Sequence, residues 1–325
     1  MNDSQSTSHA GADAICMHLI RKPWAAGRAP RIFIHGDSIA RQLCFSIGLC
    51  VPKANHDEYK KLDHALNPKR CHHWQYLTRY ETSCCQRALH TGAAGAPVAL
   101  PRSQPLPPAE CASVVQIAPL VYNDMQCVEG WLYEDLHPAP SEDDMLLLQH
   151  GAHAQVDELS LRTFEVFARE VVRFALRFPG MSPILWVEPL PQHFPTGAYV
   201  SARKPWEANA NSGMARQLPV TCVPLAEAGH RPQYRRVQIV RDVITMEAGR
   251  RIRLVPAYHA FAPLYNHHPG PFGDNNSKLD CTHYDQSAFA NVSVAIASVI
   301  TSATRAPSQP RSSHVRGRLL SVHRS

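Results

Sequence analysis

The amino-acid sequence predicts an α/β protein with three layers, in which a central parallel sheet is covered by helices on both faces and interrupted by loop insertions. Two observations lead to this prediction. Short apolar runs alternate with longer segments of helical periodicity, the pattern of a parallel sheet with crossover helices. The run at 145–149 reads Met-Leu-Leu-Leu-Gln, an almost continuous apolar stretch typical of a strand buried on both faces.

The predicted elements follow one another along the chain. The first strand covers 31–35 and leads through a turn into a helix over 39–49. A longer helix is indicated by apolar residues that recur at helical spacing between Leu161 and Ala175, and Pro179-Gly180 ends it. Further strands are predicted at 114–122, 145–149, 184–187 and 252–255, and a last helix at 287–300.

Two regions carry few signals for regular structure. Between Val51 and Asp143 the only predicted strand is the one at 114–122, and the remainder contains cysteines and prolines typical of loops. The segment 196–238 is interpreted as a second insertion. The 27 prolines, against 16 glycines, indicate many rigid connections between elements.

The chain divides into one large domain and two flanking segments. Residues 1–28 form an N-terminal segment, 29–302 the domain, and 303–325 a tail rich in Ser, Pro and Arg. Five arginines and no acidic residue follow Thr301, so the tail accounts for +5 of the net charge of +6. A segment of this composition cannot bury apolar surface and is predicted to be disordered. The positive charge therefore does not indicate a nucleic-acid partner, and none is predicted.

The ten cysteines are numerous for a cytosolic enzyme, since thiols stay reduced in that compartment. No pair of cysteines has the spacing of a structural zinc site, so disulfides in a secretory compartment are the favoured interpretation. The N-terminus lacks a basic start followed by a long apolar stretch, and no run approaches the roughly 18–20 apolar residues of a membrane span. Membrane association is expected only through a segment that this sequence does not contain.

Two distant segments hold the residue types of a serine nucleophile and its activating pair. Ser38 follows Gly36-Asp37 at the predicted strand-to-helix turn, where a serine hydroxyl lies beside the N–H groups of the helix start. Asp280 and His283 are three residues apart near the end of the domain. His283 would accept the proton of Ser38, and Asp280 would orient the imidazole. We predict Ser38, Asp280 and His283 as the catalytic residues.

Each of these features has a structural alternative. A serine after a turn commonly caps a helix, and Ser38 could serve only that purpose. Asp37 is predicted to bond the backbone around the turn rather than to act in catalysis. A metal cluster is a further interpretation of five histidines, His150, His153, His193, His267 and His268. Carboxylate–histidine pairs at i,i+4 spacing are missing, so no metal and no other cofactor is predicted.

Four sequence blocks occur in order along the chain. The first and last are Gly36-Asp37-Ser38 and 280–283. The second, at 144–153, holds an Asp, an apolar strand, a Gly and a final His, and the third, at 188–194, reads EPLPQHF. Together they resemble the SGNH/GDSL hydrolase superfamily, and more narrowly the PC-esterase branch that holds the trichome-birefringence-like polysaccharide O-acetyltransferases, in which the third block reads E-x-x-P-Q-H-F. The blocks extend over most of the chain, and the resemblance implies an SGNH hydrolase-like fold.

The resemblance implies an oxyanion hole, the set of donors that stabilises the charge developed in acyl transfer. Gln149 occupies the position of the family's asparagine and is expected to supply its side-chain amide, beside the backbone N–H of Ser38 and that of a glycine. Four further residues are expected in the oxyanion and substrate region: Gly151, His153, Gln192 and His193. Of these, His153 is interpreted as a structural residue bonded near the end of the sheet.

Two departures from the family pattern stand out. Gln149 is one methylene longer than asparagine, so its amide must reach the oxyanion from a shifted backbone or a folded rotamer. Asp285 stands where relatives usually carry a cysteine, which removes an implied disulfide and leaves Cys281 or another cysteine to pair differently.

The resemblance implies a serine-dependent acyl-transfer enzyme, most directly a polysaccharide O-acetyltransferase that forms an acetyl-serine intermediate. Its expected partners are an acetylated carbohydrate or polysaccharide and an acetyl donor, and its expected location is the Golgi lumen or the extracellular space. Two alternatives stay open. The chain could be a carbohydrate O-acetyl esterase, or a non-catalytic carbohydrate-binding protein on the same fold, which Gln149 and Asp285 would favour.

Overall fold

The computed structural model describes residues 9–20, 30–51, 60–62, 75–82, 113–119, 141–152, 157–176, 183–194, 221–225, 227–272 and 278–305. Its strands are β1 (Arg31–Gly36), β2 (Cys50–Val51), β3 (Lys60–Leu62), β4 (Gln75–Thr82), β5 (Ser113–Pro119), β6 (Met145–Gln149), β7 (Ile184–Val187), β8 (Ile252–Val255), β9 (Gly270–Phe272) and β10 (Lys278–Asp280). Its α-helices are α1 (Ala10–Ile20), α2 (Ser38–Ser46), α3 (Glu158–Leu176), α4 (Glu227–Val243), α5 (Tyr258–Phe261) and α6 (Ala290–Arg305).

The first eight strands form one sheet in the order β2-β4-β5-β1-β6-β7-β8, with β3 paired to β4. From β5 to β8 every neighbouring pair is parallel. The pairs of β4 with β2, β3 and β5 are antiparallel, and β9 and β10 form a separate antiparallel hairpin. The predicted α/β class with a central set of parallel strands is therefore confirmed, and the sheet carries an antiparallel extension at one edge.

The sheet buries apolar side chains on both faces because successive strand residues point in opposite directions. Ile32 and Ile34 of β1 belong to a core shared with helices α1, α2 and α6. Phe33, between them, belongs to a second core formed with α3 and α4, which also contains Trp186. The two cores make a three-layer arrangement of helix, sheet and helix.

Several predicted elements agree closely with the structure. Strands β6, β7 and β8 have the predicted bounds, and β1 is longer by Gly36. Helix α3 contains the predicted apolar stripe, whose members Phe164, Ala168 and Val171 are buried. Strand β5 begins at Ser113 and ends at Pro119, before the predicted end at residue 122.

The prediction of a single strand between Val51 and Asp143 is wrong, because β3 and β4 also lie there. Strand β4 reads QYLTRYET, whose Tyr and Thr residues favour extended structure while only one residue is aliphatic. A search for apolar runs therefore misses it. Its pairing with β5, which lies far along the chain, supplies the missing stabilisation.

The interpretation of 196–238 as an insertion is wrong at its C-terminal end, because α4 begins at Glu227. Pro232 and the polar stretch around it argue against a helix in the sequence. Val237, Val240 and Val243 recur at helical spacing and are fully buried in the core beneath the sheet, so tertiary packing overrides the local signal.

The core extends into the N-terminal segment that the sequence separates from the domain. Helix α1 buries Ala12, Ile15 and Leu19 in the core that it shares with α6, and the N–H of Gly11 donates to Ser293 Oγ at 2.6 Å. At the other end α6 runs to Arg305, so residues 303–305 of the predicted disordered tail are helical. The rest of that tail lies outside the described residues.

Two disulfides confirm the prediction that the cysteines pair. Cys44 bonds to Cys50 beside helix α2, and Cys222 bonds to Cys281 next to the predicted catalytic histidine. Cys281 thus finds a partner in sequence block 221–225, 59 residues earlier in the chain. Among the described residues, no helix is both long and apolar enough to cross a membrane.

Candidate active site

The turn between β1 and α2 holds the predicted nucleophile. A Cβ on Gly36 would lie 1.9 Å from the carbonyl oxygen of Gln149, so only glycine allows β1 and β6 to meet here. Asp37 caps the helix by accepting a hydrogen bond from the N–H of Ile39 at 2.9 Å. Ser38 is the first residue of α2 and is half-buried. The cap is therefore Asp37 and not Ser38, which leaves the serine hydroxyl to other partners.

Ser38, His283 and Asp280 form one hydrogen-bonded series. Oγ of Ser38 lies 2.7 Å from Nε2 of His283, and Nδ1 of His283 lies 2.8 Å from Oδ2 of Asp280. A carboxylate only accepts, so the Nδ1 of His283 carries the proton and its Nε2 can accept from the serine hydroxyl. The structure thus brings Ser38 next to His283, which lies 245 positions later in the sequence.

Backbone contacts hold the aspartate in place. Oδ1 of Asp280 accepts hydrogen bonds from the N–H groups of Thr282 and His283, both at 3.0 Å. Burial raises the pKa of the Asp280 carboxyl, but the hydrogen bonds from the His283 ring and backbone and from Thr282 outweigh burial. The net pKa lies below the ordinary value, so Asp280 is an anion able to stabilise an imidazolium.

Asp37 bonds two separate pieces of backbone, as the sequence predicts. Its second oxygen accepts from the N–H of Ala152 at 3.1 Å, which ties the turn to the segment after β6. Burial raises the pKa of Asp37 to about 6, against the lowering effect of its hydrogen bonds from Ile39 and Ala152.

Gln149 lies at the C-terminal end of β6, directly opposite Gly36 in the sheet. The alternation along β6 places its side chain on the face of Met145 and Leu147, which is the face covered by α2. The residue is 1% exposed, and neither its amide nitrogen nor its amide oxygen has a hydrogen-bond partner in the described part of the chain. A buried amide without partners is rare in folded proteins.

The segment after Gln149 is held from several sides. Gly151 has a φ of +113°, a conformation that other residues rarely adopt. Its carbonyl oxygen accepts from Nη1 of the buried Arg236, and the carbonyl of Ala152 accepts from Nε2 of Gln192 at 2.5 Å. The backbone around Gly151 is therefore fixed in one geometry next to the nucleophile turn.

Gln192 and His193 are buried next to the site and form hydrogen bonds with the segments around it. Gln192 is buried, and its Nε2 also donates to Thr282 Oγ1 at 3.1 Å. His193 is fully buried; its Nε2 donates to the carbonyl of Ala262 at 2.9 Å, and its Nδ1 lies 2.6 Å from Nε2 of His268. Burial lowers the pKa of His193 and brings that of His268 to about 4. The structure brings both predicted residues to the site without exposing them, whereas His153 lies outside the described residues.

Asp285, the second departure from the family pattern, has a capping role. It accepts from the N–H of Ala288 at 3.1 Å and so caps the short 3₁₀ helix Gln286–Phe289. Its other oxygen lies 2.9 Å from Nδ1 of His267. The position therefore supports the segment just after His283 through hydrogen bonds.

Two residues of the site have no role in the sequence prediction. Gln42 bonds the backbone of Tyr284, and Arg236 bonds that of Gly151. Gln42 lies four residues after Ser38, and this helical spacing was a signal that could have placed it beside the nucleophile. Arg236 lies in the stretch interpreted as an insertion, so nothing in its sequence context marks it.

Of the described residues, no three His, Cys, Asp or Glu side chains are arranged to hold a metal ion. His150 is one of the histidines considered for such a cluster. Its Nε2 lies instead 3.1 Å from the Nδ1 of His35, inside the protein. No family model matches the chain, and no curated protein sequence is similar to it.

Proposed function

We propose that this protein is a serine-dependent acyl-transfer enzyme of the SGNH hydrolase type, which moves O-acetyl groups on carbohydrate and acts as a polysaccharide O-acetyltransferase. The observation that carries the proposal is the series of contacts from Asp280 through His283 to Ser38, at 2.8 and 2.7 Å. This is the arrangement that a serine nucleophile needs in order to lose its proton during attack.

The proposed reaction has two half-reactions. Ser38 Oγ attacks the carbonyl carbon of an acetyl ester while Nε2 of His283 takes the serine proton. Collapse of the tetrahedral intermediate breaks the bond to the donor alcohol, which leaves with the proton from His283, and acetyl-Ser38 remains. A sugar hydroxyl then gives its proton to His283 and attacks the acetyl group. The bond between the acetyl group and Ser38 Oγ then breaks, and His283 returns the proton to that oxygen. The products are the acetylated sugar and free Ser38.

Three donors are proposed for the oxyanion that forms in each half-reaction. The backbone N–H of Ser38 lies at the start of α2, where helix N–H groups favour negative charge. The backbone N–H of Gly151 belongs to the segment fixed by Asp37 and Arg236. The buried amide of Gln149 has no hydrogen-bond partner within the described part of the chain, as a donor reserved for a transient charge would have. Preorganised donors of this kind are worth about 3–4 kcal/mol each.

The carbohydrate substrate and the SGNH assignment rest on the resemblance of four sequence blocks, and the disulfides support an oxidising compartment. We therefore propose the secretory pathway, in the Golgi lumen or outside the cell, as the location. The proposed partners are an acetyl donor and an acetylated or acceptor polysaccharide.

The test is incubation of the protein with an acetyl-ester donor, with and without xylan-like oligosaccharides, followed by mass spectrometry of protein and sugar. We expect one added acetyl group on Ser38, and its transfer to the oligosaccharide when acceptor is present. Ser38→Ala should abolish both products. Ser302→Ala, at an exposed serine on α6 far along the chain, is the control and should leave both unchanged.

The outcomes separate the candidate functions. Acetate release without sugar acetylation would identify an esterase, in which water takes the place of the sugar hydroxyl. Sugar binding without acetyl-Ser38 would identify a non-catalytic carbohydrate-binding protein. The Ser38–His283 contact at 2.7 Å favours the catalytic functions over that last one.

A further inference from the structure

One side chain joins the helix that carries the nucleophile to the segment that carries the general base. Gln42 lies one turn after Ser38 on α2, and residues four apart share one side of a helix. The Nε2 of Gln42 donates to the carbonyl oxygen of Tyr284, and its Oε1 accepts from the N–H of Tyr284 at 3.1 Å. Tyr284 follows His283 directly, so a single side-chain amide bonds both polar groups of the residue next to the base.

Two reciprocal hydrogen bonds constrain more than one would. A single bond leaves a residue free to pivot about the contact, whereas a donor and an acceptor together fix both its distance and its orientation, as in a pair of β-strands. On the other side of His283, Oδ1 of Asp280 accepts a hydrogen bond from the backbone N–H of His283, and Oδ2 of Asp280 accepts one from the Nδ1 of its ring. The backbone of His283 is therefore anchored on both sides, and Gln42 is the anchor that belongs to the nucleophile's own helix.

The side chain of Tyr284 strengthens this anchor. Its hydroxyl donates to the carbonyl of Pro191 at 2.6 Å, and its ring packs edge-on against Phe261. Tyr284 is 1% exposed, so its backbone has little freedom of its own. A movement of α2 relative to this buried residue would change the Ser38–His283 distance, and the Gln42 bonds oppose that movement.

We propose that Gln42 is a positioning residue that sets the separation between Ser38 Oγ and His283 Nε2. The proposal rests on the proposed function, because it assigns Gln42 a part in the same reaction. An amide is required at this position because one side chain must donate to the Tyr284 carbonyl and accept from the Tyr284 N–H at the same time. Ionised glutamate can only accept, and leucine can do neither.

Gln42→Glu and Gln42→Leu separate positioning from mere packing. A protonated glutamic acid has one O–H donor and one carbonyl acceptor, so it restores the arrangement of glutamine, whereas the ionised form repels the Tyr284 carbonyl. The reactivity of Ser38 in the Gln42→Glu variant, relative to wild type, should therefore rise as the pH falls toward the ordinary glutamate pKa of about 4.3. Gln42→Leu has no titrating group and should be impaired equally at every pH.

The measurement is the rate at which a fluorophosphonate labels Ser38 from pH 4.5 to 8, expressed for each variant as a ratio to wild type. The ratio cancels every pH dependence that the variants share with wild type. At pH 8 both variants should label about 10- to 100-fold more slowly, the range expected when reacting groups are displaced by about 1 Å. The Gln42→Glu ratio should rise at acidic pH, and the Gln42→Leu ratio should stay flat. Gln238→Glu, at an exposed glutamine of α4, is the matched control and should label as wild type does.

The possible results distinguish this proposal from the proposed function. If wild type labels while Gln42→Leu labels at the same rate, or while the Gln42→Glu ratio does not change with pH, Gln42 has no positioning role and the enzyme assignment stands. If wild type does not label at any pH, the proposed function fails, and the Gln42 proposal falls with it. A thermal unfolding midpoint measured for each variant shows whether the labelling was measured on folded protein.

Discussion

Gln149 gives a prediction in which stability and activity move in opposite directions. Its buried amide has no partner among the described residues, and leaving such a group unsatisfied costs about 1–3 kcal/mol. Gln149→Leu removes the amide and keeps a similar shape, so the free energy of unfolding should rise by about that amount. Acyl transfer should fall by about 100-fold, because an oxyanion donor is lost. Urea unfolding and single-turnover acetylation measure the two effects.

A neighbouring glutamine is the control for this substitution. Gln192 is equally buried, but its amide donates to Ala152 and Thr282, so Gln192→Leu should lower the free energy of unfolding. Gln149→Asn retains an amide donor on a side chain one methylene shorter, as in the proteins whose sequence blocks this chain resembles, and should be at least as active as wild type. If Gln149→Leu left the acetylation rate unchanged, Gln149 would not be an oxyanion donor.

The proposed catalytic residues Ser38 and His283 should behave as one unit when they are removed. Ser38→Ala and His283→Ala should each lower the turnover of an acetyl ester by several orders of magnitude, and the double variant should be no slower than the slower single one. The physical reason is that His283 acts only through the Ser38 proton. Steady-state rates of the three variants measure this. Losses that multiplied in the double variant would mean that the two residues act independently.

At the scale of secondary structure, Asp37 couples the β1–α2 connection to pH. Burial raises the pKa of Asp37 in the folded protein to about 6 from an ordinary value near 4, so the folded protein binds the carboxyl proton more tightly than the unfolded chain does. This proton binding stabilises the folded state fully below the ordinary pKa, and the stabilisation is lost as the pH rises to about 6. The shift corresponds to about 3 kcal/mol.

Asp37→Asn should therefore become more stable relative to wild type as the pH rises from 4 to 7, by about 2.4 kcal/mol. The variant keeps an acceptor for the N–H of Ile39 but loses the one for Ala152, which lowers its stability at every pH. Urea unfolding of both proteins at several pH values measures the difference. A difference that did not change with pH would mean that Asp37 has the same pKa in the folded and unfolded protein.

The helices and strands show which elements can be predicted without the structure. β6 and β7 are short apolar runs, and α3 has an apolar stripe at helical spacing, so local pattern alone defines them. β4 and α4 lack such patterns. They form because β5 and the second core provide contacts that are distant in sequence. Elements whose stability comes mainly from such contacts escape a local analysis.

At the scale of the whole molecule, the Cys222–Cys281 disulfide ties the segment before α4 to residues 280–283. These residues, which contain the proposed Asp280–His283 pair, are called the catalytic loop below. Cys281 lies between Asp280 and His283, so loss of the bond should loosen the catalytic loop as well as the fold. The chain-entropy relation gives about 4 kcal/mol for its 59-residue separation and about 2 kcal/mol for the 6-residue separation of Cys44–Cys50. Replacing Cys222 and Cys281 by serine should thus cost about twice as much stability as replacing Cys44 and Cys50.

Thermal unfolding of the two double-serine variants, with acetyl-ester turnover measured below both midpoints, tests this expectation. Turnover should fall strongly only when the Cys222–Cys281 bond is missing, because that bond alone of the two includes a residue of the catalytic loop. Equal turnover in both variants would show that hydrogen bonds, such as those of Asp280 with Thr282 and His283, hold the loop without the disulfide.

The sequence by itself determined the α/β class, the strand-to-helix turn with Ser38 at its end, and the pairing of Asp280 with His283, since these depend on local pattern and on a spacing of three residues. The tertiary structure alone decided that Ser38 and His283 meet, and that Gln42 and Arg236 belong to the site. Each of these depends on distances between residues far apart in the chain. Such distances are set by how β1, β6 and the catalytic loop pack together, because no local propensity encodes them.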